Sequence, residues 1–158
     1  MPGERRTAGP RFRIWPPVAA GVPWLGGWWA GRRLGVPPMG GGAWVPGAGR
    51  ALLVAFALWN GWCLWYFARH RTGLMPGQDT NALLTSGPYR VSRNPLYVGL
   101  LAGYIGAALV ARSWGAVAMA PLTWAGLHWG AVLPEEAYLR TRLGGPYEEY
   151  RRRVRRWL

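Results

Sequence analysis

Three groups of residues in this chain could do chemistry. The first is Tyr89, Arg90, Arg93, Asn94, Pro95 and Tyr97, inside the run GPYRVSRNPLYVG that extends from Gly87 to Gly99. The second is His128 with the adjacent carboxylates Glu135 and Glu136. The third is Tyr147 and Tyr150. An arginine can orient a carboxylate through paired hydrogen bonds. A glutamate can hold hydroxyls or a cation, and a Glu or His can accept a proton. Cys63 is the one cysteine, so an intramolecular disulfide and a cysteine-built metal site are excluded. It lies in an apolar run, where a small buried hydrophobe is expected. No metal ligand set is expected.

The acidic residues are unevenly distributed. There are six, and Glu135/Glu136 and Glu148/Glu149 supply four of them. Carboxylates at a helix start complement the positive end of the helix dipole. Glu148 and Glu149 also have arginines four residues on, Arg152 and Arg153, at the spacing that favours ion pairs. Glu136 has Arg140 at that spacing. Glu135 has none and is the freer to bind a ligand. His128 precedes Glu135 by seven residues, about two turns at ~3.6 residues each, which puts the two on one face unless Pro134 bends the helix.

The elements that position these groups follow from composition. The chain has 158 residues and 17.5 kDa, one domain's worth. It is 51% hydrophobic, carries 19 arginines and no lysine, and has a net charge of +13. So basic a chain suits nucleic acid or an anionic membrane surface. Its arginines flank apolar runs, which points to membrane and away from nucleic acid. Residues 1–13 form a basic Gly/Pro arm expected to be disordered. The apolar stretch 14–31 is read as a retained first span rather than a secretory signal, bent by its Gly and Pro residues. Residues 51–68 form a second span, with Trp59, Trp62 and Trp65 towards one end as an interfacial belt.

A polar connection carries the Gly87–Gly99 run. Pro95 then starts a third span, 95–111, since its missing N–H is not needed in a first helical turn. After a turn at Arg112-Ser113, residues 114–133 form a fourth. Gly99, Gly103, Ala107 and Ala111, with Gly126 and Gly130, are small residues at four-residue spacing, and they predict that spans three and four pack closely as an antiparallel hairpin. Interfacial helices are expected over 134–143 and 146–158. In the second, Tyr147, Tyr150, Val154 and Trp157 share a side and arginines cover the rest, as on a helix lying at a membrane surface. The predicted fold class is therefore all-α and integral to the membrane, with about four spans. Fifteen arginines fall on one side of these spans and four on the other. The positive-inside rule places both termini and all three residue groups in the cytoplasm.

The run SGPYRVSRNPLYVGLL is followed, beyond the expected hairpin, by H-x6-EE-x2-L-x3-LG-x2-Y-x2-Y-x3-V-x-R. This order and spacing resembles the integral membrane methyltransferases that include isoprenylcysteine carboxyl methyltransferases and phospholipid N-methyltransferases. The likeness covers about 84–158, with residues 14–158 forming one methyltransferase domain. It implies S-adenosylmethionine as methyl donor. It implies that Arg93, Asn94, Pro95, Tyr97, Gly99, His128, Glu135 and Glu136 line the donor pocket, with Tyr147 and Tyr150 folded over it. It also implies an acceptor that is a lipophilic or lipidated molecule, most simply the carboxylate of an isoprenylcysteine-like substrate, and alternatively the amine of a phosphatidylethanolamine-type lipid. Arg90 or Arg93 could orient an acceptor carboxylate; Glu135, Glu136 or His128 could deprotonate an amine. Two departures from the family pattern are Asn94 where many relatives carry His, and Leu143 where Phe is common. The all-arginine, Ala/Gly/Trp-rich composition suggests a bacterial inner membrane.

Two other readings compete. Membrane sterol and enone reductases share a similar helical end and bind a nicotinamide cofactor, but are expected to carry Arg-Asp where this chain has Glu135-Glu136. A non-enzymatic membrane scaffold could also keep the fold, since fold alone does not establish activity.

Overall fold

A computed structural model describes residues 13–70 and 83–158. The expected disordered arm, Arg13 excepted, and the middle of the polar connection lie outside the described residues. The described chain is helical, without strands among those residues: α1 (Pro16–Arg33), α2 (Trp44–His70), a 3-10 turn (Gly87–Arg90), α3 (Pro95–Val110), α4 (Trp114–Ala118), α5 (Ala120–Leu127), a π-helical turn (His128–Val132), α6 (Leu133–Leu143) and α7 (Gly145–Arg153). Prolines open α1, α3 and α7 within their first two positions, where no N–H partner is lost; Pro121 and Pro134 stand at the starts of α5 and α6.

Among the described residues two helices are long and apolar enough to cross a membrane: α2, and the continuous run Trp114–Leu143 built from α4, α5, the π turn and α6. α3 is apolar but shorter. The outer surface of α2 presents Val54, Leu58, Leu64 and Trp65, all exposed. A row of large apolar side chains facing outward suits lipid rather than water. α1 follows the predicted first stretch and has 18 residues, but it falls short of a spanning hydropathy because Gly, Pro and the closing Arg32-Arg33 dilute it. Pro23 lies inside α1 without ending it.

Small residues do bring the helices together, but with partners other than those predicted. α2 packs chiefly on α3, and α1 on α4 and α5. Gly99 and Gly103 face Asn60, Trp59 and Phe56 of α2, and Gly106 faces the α2 backbone at Gly49. Gly126 and Gly130 face Ala19 and Ile14, on and just before α1. The stripe on α3 therefore binds α2, not the helix that follows it. Four-residue spacing identifies a face fit for close approach, but not which helix will fill it. What joins α3 to α4 is a tight turn with Arg112 at φ 49° and a hydrogen bond from Tyr104 Oη to the Ala116 carbonyl, 2.7 Å.

Pro134 does not break the helix. Instead the helix widens just before it, in a π turn over His128–Val132. Pro134 has no N–H for the carbonyl of Gly130, four residues earlier; that carbonyl is taken from outside, by the N–H groups of Arg13 and Ile14 at 2.8 and 3.2 Å. The final predicted helix is shorter than expected. α7 stops at Arg153, and Val154 turns extended at φ −122°, ψ 132°. The reason is tertiary. Residues 155–157 find hydrogen-bond, ion-pair and ring partners on other elements that a continuing helix would not reach.

Candidate functional site

The turn Val91–Asn94 joins the 3-10 turn to α3, and side chains from α3, α6 and the extended residues after α7 gather round it. Asn94 precedes α3 as its cap residue, and its N–H donates to Ser92 Oγ at 3.1 Å. The backbone N–H of Arg93 donates to the Arg155 carbonyl at 2.9 Å. Ser92 Oγ and Asn94 Nδ2 both donate to the Arg156 carbonyl, at 3.2 and 3.0 Å. The corner is thus laced to a strap, Val154–Leu158, that sequence patterning places within the last helix.

Glu136 is the hub beneath that corner. It is 5% exposed. Arg156 binds it as a fork, Nε to Oε1 at 3.0 Å and Nη2 to Oε2 at 2.9 Å. Arg93 Nη2 lies 3.3 Å from Oε1, and its side chain is only 8% exposed. These bonds to Glu136 raise the proton affinity of the Arg156 guanidinium above its usual value, against the effect of partial burial. The expected partner, Arg140, instead pairs with Glu148 at 2.8 Å. Glu148 takes Arg151 rather than the expected Arg152, while Glu149 does pair with Arg153. The α6–α7 bend at Gly144, φ 56°, lets Arg140 reach across to α7.

Glu135 has no arginine among the described residues. It accepts one hydrogen bond, from Tyr97 Oη at 3.1 Å, which ties α3 to α6. His128 heads the π turn, its ring stacked on Trp124 at 5.0 Å and 12° and close to Trp157 at 6.2 Å. Its Nδ1 is buried without a partner among the described residues. Arg93 Nε and Nη1 are likewise buried without acceptors among those residues. Unmatched buried donors are costly, about 1–3 kcal/mol each, and mark places where a ligand group would be welcome.

Tyr147 and Tyr150 form a second wall with Tyr66 and Tyr89. Tyr150 Oη donates to the Tyr89 carbonyl at 2.6 Å and holds the 3-10 turn against α7. Tyr147 is 1% exposed. Burial, reinforced by the Glu136 charge and opposed by Arg93, pushes its phenol up to about 12.

The structure therefore brings together Arg93, Asn94, Tyr97, Glu135, Glu136, Tyr147 and Tyr150, with His128 joined through Trp157. Pro95 is buried behind the corner, its carbonyl accepting from Trp59 Nε1 at 2.8 Å. Two predicted residues stand apart. Gly99 faces α2. Arg90 is exposed at the end of the 3-10 turn and makes no side-chain hydrogen bond or ion pair among the described residues. Sequence reasoning missed Ser92, Trp124, Arg156 and Trp157. Five near-consecutive arginines hide the one that turns inward, and only the burial of Glu136 between two elements could have pointed to it.

The fold and site define an all-helical protein, built on apolar helices fit for a membrane, with a buried cluster of arginine and glutamate at one end. A model of the phospholipid methyltransferase family matches residues 47–145, well over half the chain. The chain belongs to that family. Two curated relatives are similar to it: the cobalt-zinc-cadmium resistance protein CzcN of Cupriavidus metallidurans and the nickel-cobalt-cadmium resistance protein NccN of Alcaligenes xylosoxydans xylosoxydans. Each is 32% identical over 93 residues, covering 59% of this chain and 39% of the relative. The chain thus spans about two-fifths of the length of these relatives. No solved structure matches it.

Proposed function

We propose that this protein is a membrane methyltransferase that moves a methyl group from S-adenosylmethionine to a lipophilic acceptor. The observation that carries the proposal is the buried Arg93 guanidinium, held at Glu136 with Nε and Nη1 unpartnered among the described residues, together with a neighbouring glutamate, Glu135, that no described arginine neutralises. Family membership supplies the reaction class. The residues fit the donor's groups. Arg93 offers hydrogen bonds for a carboxylate. Glu135 offers an acceptor for a ribose diol or an ammonium. The stacked rings of Trp124 and His128, with Trp157 tilted against them, offer an aromatic surface for a purine.

When bound, the donor supplies an electrophilic methyl on a sulfonium, open to in-line displacement. The protein's contribution is to position the reactants and exclude water. Arg93 and Glu135 fix the two ends of a polar ligand, and the tyrosine wall keeps the corner dry. The acceptor we favour is a carboxylate on a lipophilic, isoprenylcysteine-like tail, which needs no base. The description of the matched family favours a second acceptor, the amine of a phospholipid; Glu135 then takes the proton.

We further propose one methyltransferase domain over residues 14–158, multi-pass in a bacterial inner membrane, with the site and both termini cytoplasmic. Titration of the purified protein in lipid nanodiscs with S-adenosylmethionine and with NADPH tests the reaction class. Saturable binding of the methyl donor alone is expected. Tight NADPH binding without donor binding would overturn the reading in favour of a reductase.

A further inference from the structure

We infer that the extended segment Val154–Leu158 is a working part of the site, and that Arg156 is its positioning residue: through Glu136 it aims Arg93 at the donor's carboxylate. The inference rests on the methyl-donor reading above. It goes further in saying which arginine meets the carboxylate and what holds that arginine in place.

The connections form a closed loop. The strap's backbone binds the corner, through the Arg155 carbonyl to Arg93 N–H and the Arg156 carbonyl to Ser92 and Asn94. The strap's side chain then crosses to α6, where Arg156 engages both oxygens of Glu136. Glu136 in turn meets Arg93 Nη2. So two guanidinium groups share one buried carboxylate. Arg156 can spread its charge to solvent, since its side chain is 32% exposed; Arg93, at 8%, cannot. The poorly solvated charge and, among the described residues, the unmatched donors both reside on Arg93. An anionic oxygen group is what that combination binds.

Glu136 has a different task from Glu135. With both oxygens held by Arg156, it is not free for a ligand's ammonium or hydroxyls. It works as the pivot between strap and corner, and Glu135 keeps the ligand-binding role. A lysine at 156 could keep the charge but not the two-pronged grip, which needs the planar guanidinium. Trp157 follows directly and places its ring beside Trp124 and His128, so the strap contributes both the pivot's partner and one face of the aromatic surface.

The test compares binding of S-adenosylmethionine and its decarboxylated analogue, by calorimetry in nanodiscs, for the native chain, Arg156→Lys, Arg156→Ala and Arg152→Ala. A charge-assisted hydrogen bond corresponds to a preference of roughly 10- to 100-fold. The native chain and the exposed-residue control Arg152→Ala should prefer the carboxylate-bearing donor by that factor. Arg156→Ala should reduce the preference to about twofold, and Arg156→Lys should fall between. A structural role alone would weaken both ligands equally and leave their ratio intact, and that result overturns the inference. If Arg156→Ala does not fold, the ratio for Arg156→Lys decides: a native ratio overturns the inference. Absence of binding of either ligand to the native chain refutes the methyl-donor reading itself.

Discussion

Replacing Glu136 by Gln tests the electrostatic core of the site without changing its shape. Glutamine keeps one acceptor oxygen and turns the other into a donor, which then faces the donors of Arg156. The forked contact is lost, and two guanidinium groups remain round a neutral amide. Removing one partner of a buried ion pair costs about 3–5 kcal/mol, because the other charge is left uncompensated. Arg156 is 32% exposed and can recover some hydration, whereas Arg93 at 8% recovers little. We therefore expect a loss of about 3 kcal/mol, at the lower end of that range. For a chain of this length that corresponds to a fall in Tm of about 6–12 °C. The control is Glu149→Gln, whose pair with Arg153 is 67% and 70% exposed. Exposed pairs contribute about 0–1 kcal/mol. The assay is thermal unfolding in nanodiscs, followed by circular dichroism and by tryptophan fluorescence. If Glu136→Gln melts within about 0.5 kcal/mol of the native chain, or no lower than Glu149→Gln, the hub assigned to Glu136 is wrong.

Other consequences follow from the same geometry. Arg93→Ala should abolish methyl-donor binding while Arg90→Ala leaves the Kd within about twofold, because only Arg93 is buried in the cluster; equal losses in calorimetric titration would contradict this. Tyr150→Phe leaves the buried Tyr89 carbonyl short of its 2.6 Å donor and should lower stability by about 1–3 kcal/mol in the same melting assay. Gly27→Ala places a methyl against the Gly115 carbonyl and, at 2.7 Å, Met119 Cγ, so the α1–α4 contact must open at about 1–3 kcal/mol; an unchanged melt would mean that α1 packs elsewhere. Glu148 has a proton affinity held below the usual carboxylate range: slight desolvation opposes this, and the bonds from Arg151 and Arg140 outweigh it. A depressed folded value means its stabilising effect is present above the ordinary carboxylate range and is lost as pH falls through the depressed value. The protection factors of α7 amides, which are exchange rates divided into their intrinsic values at each pH, should fall at that low pH and stay level between pH 6 and 8.

Much of the helix pattern was legible because it is written in local chemistry. Pro95 begins α3, Ser113 caps α4 through the Ala116 N–H, and Gly144 ends α6 at a positive φ. The grouping of Arg93, Asn94, Tyr97, Glu135 and Glu136 was legible because polar residues in a largely apolar chain have few places to go. Pairing was not. Glu136 has Arg140 at ideal spacing yet binds Arg156, twenty residues away, because only the interior rewards a fully occupied carboxylate. Helix partners were not legible either. Gly99 and Gly103 mark a face for close approach, and whether α2 or α4 fills it is decided by the whole bundle. The strap at 154–158 was hidden by composition, since RRRVRRWL reads as the end of a helix lying at a membrane surface until its backbone is seen to bond with Ser92, Arg93 and Asn94.

The most direct test of a membrane methyltransferase built round Arg93 is transfer of a labelled methyl from S-adenosylmethionine into native bacterial membranes. The native chain should label the lipid-extractable fraction, base-labile label marking an ester and base-stable label an amine, and Arg93→Ala, inserted at equal level, should give none. Native protein that leaves the membranes no more labelled than protein-free controls, or Arg93→Ala that labels them equally, would contradict the account.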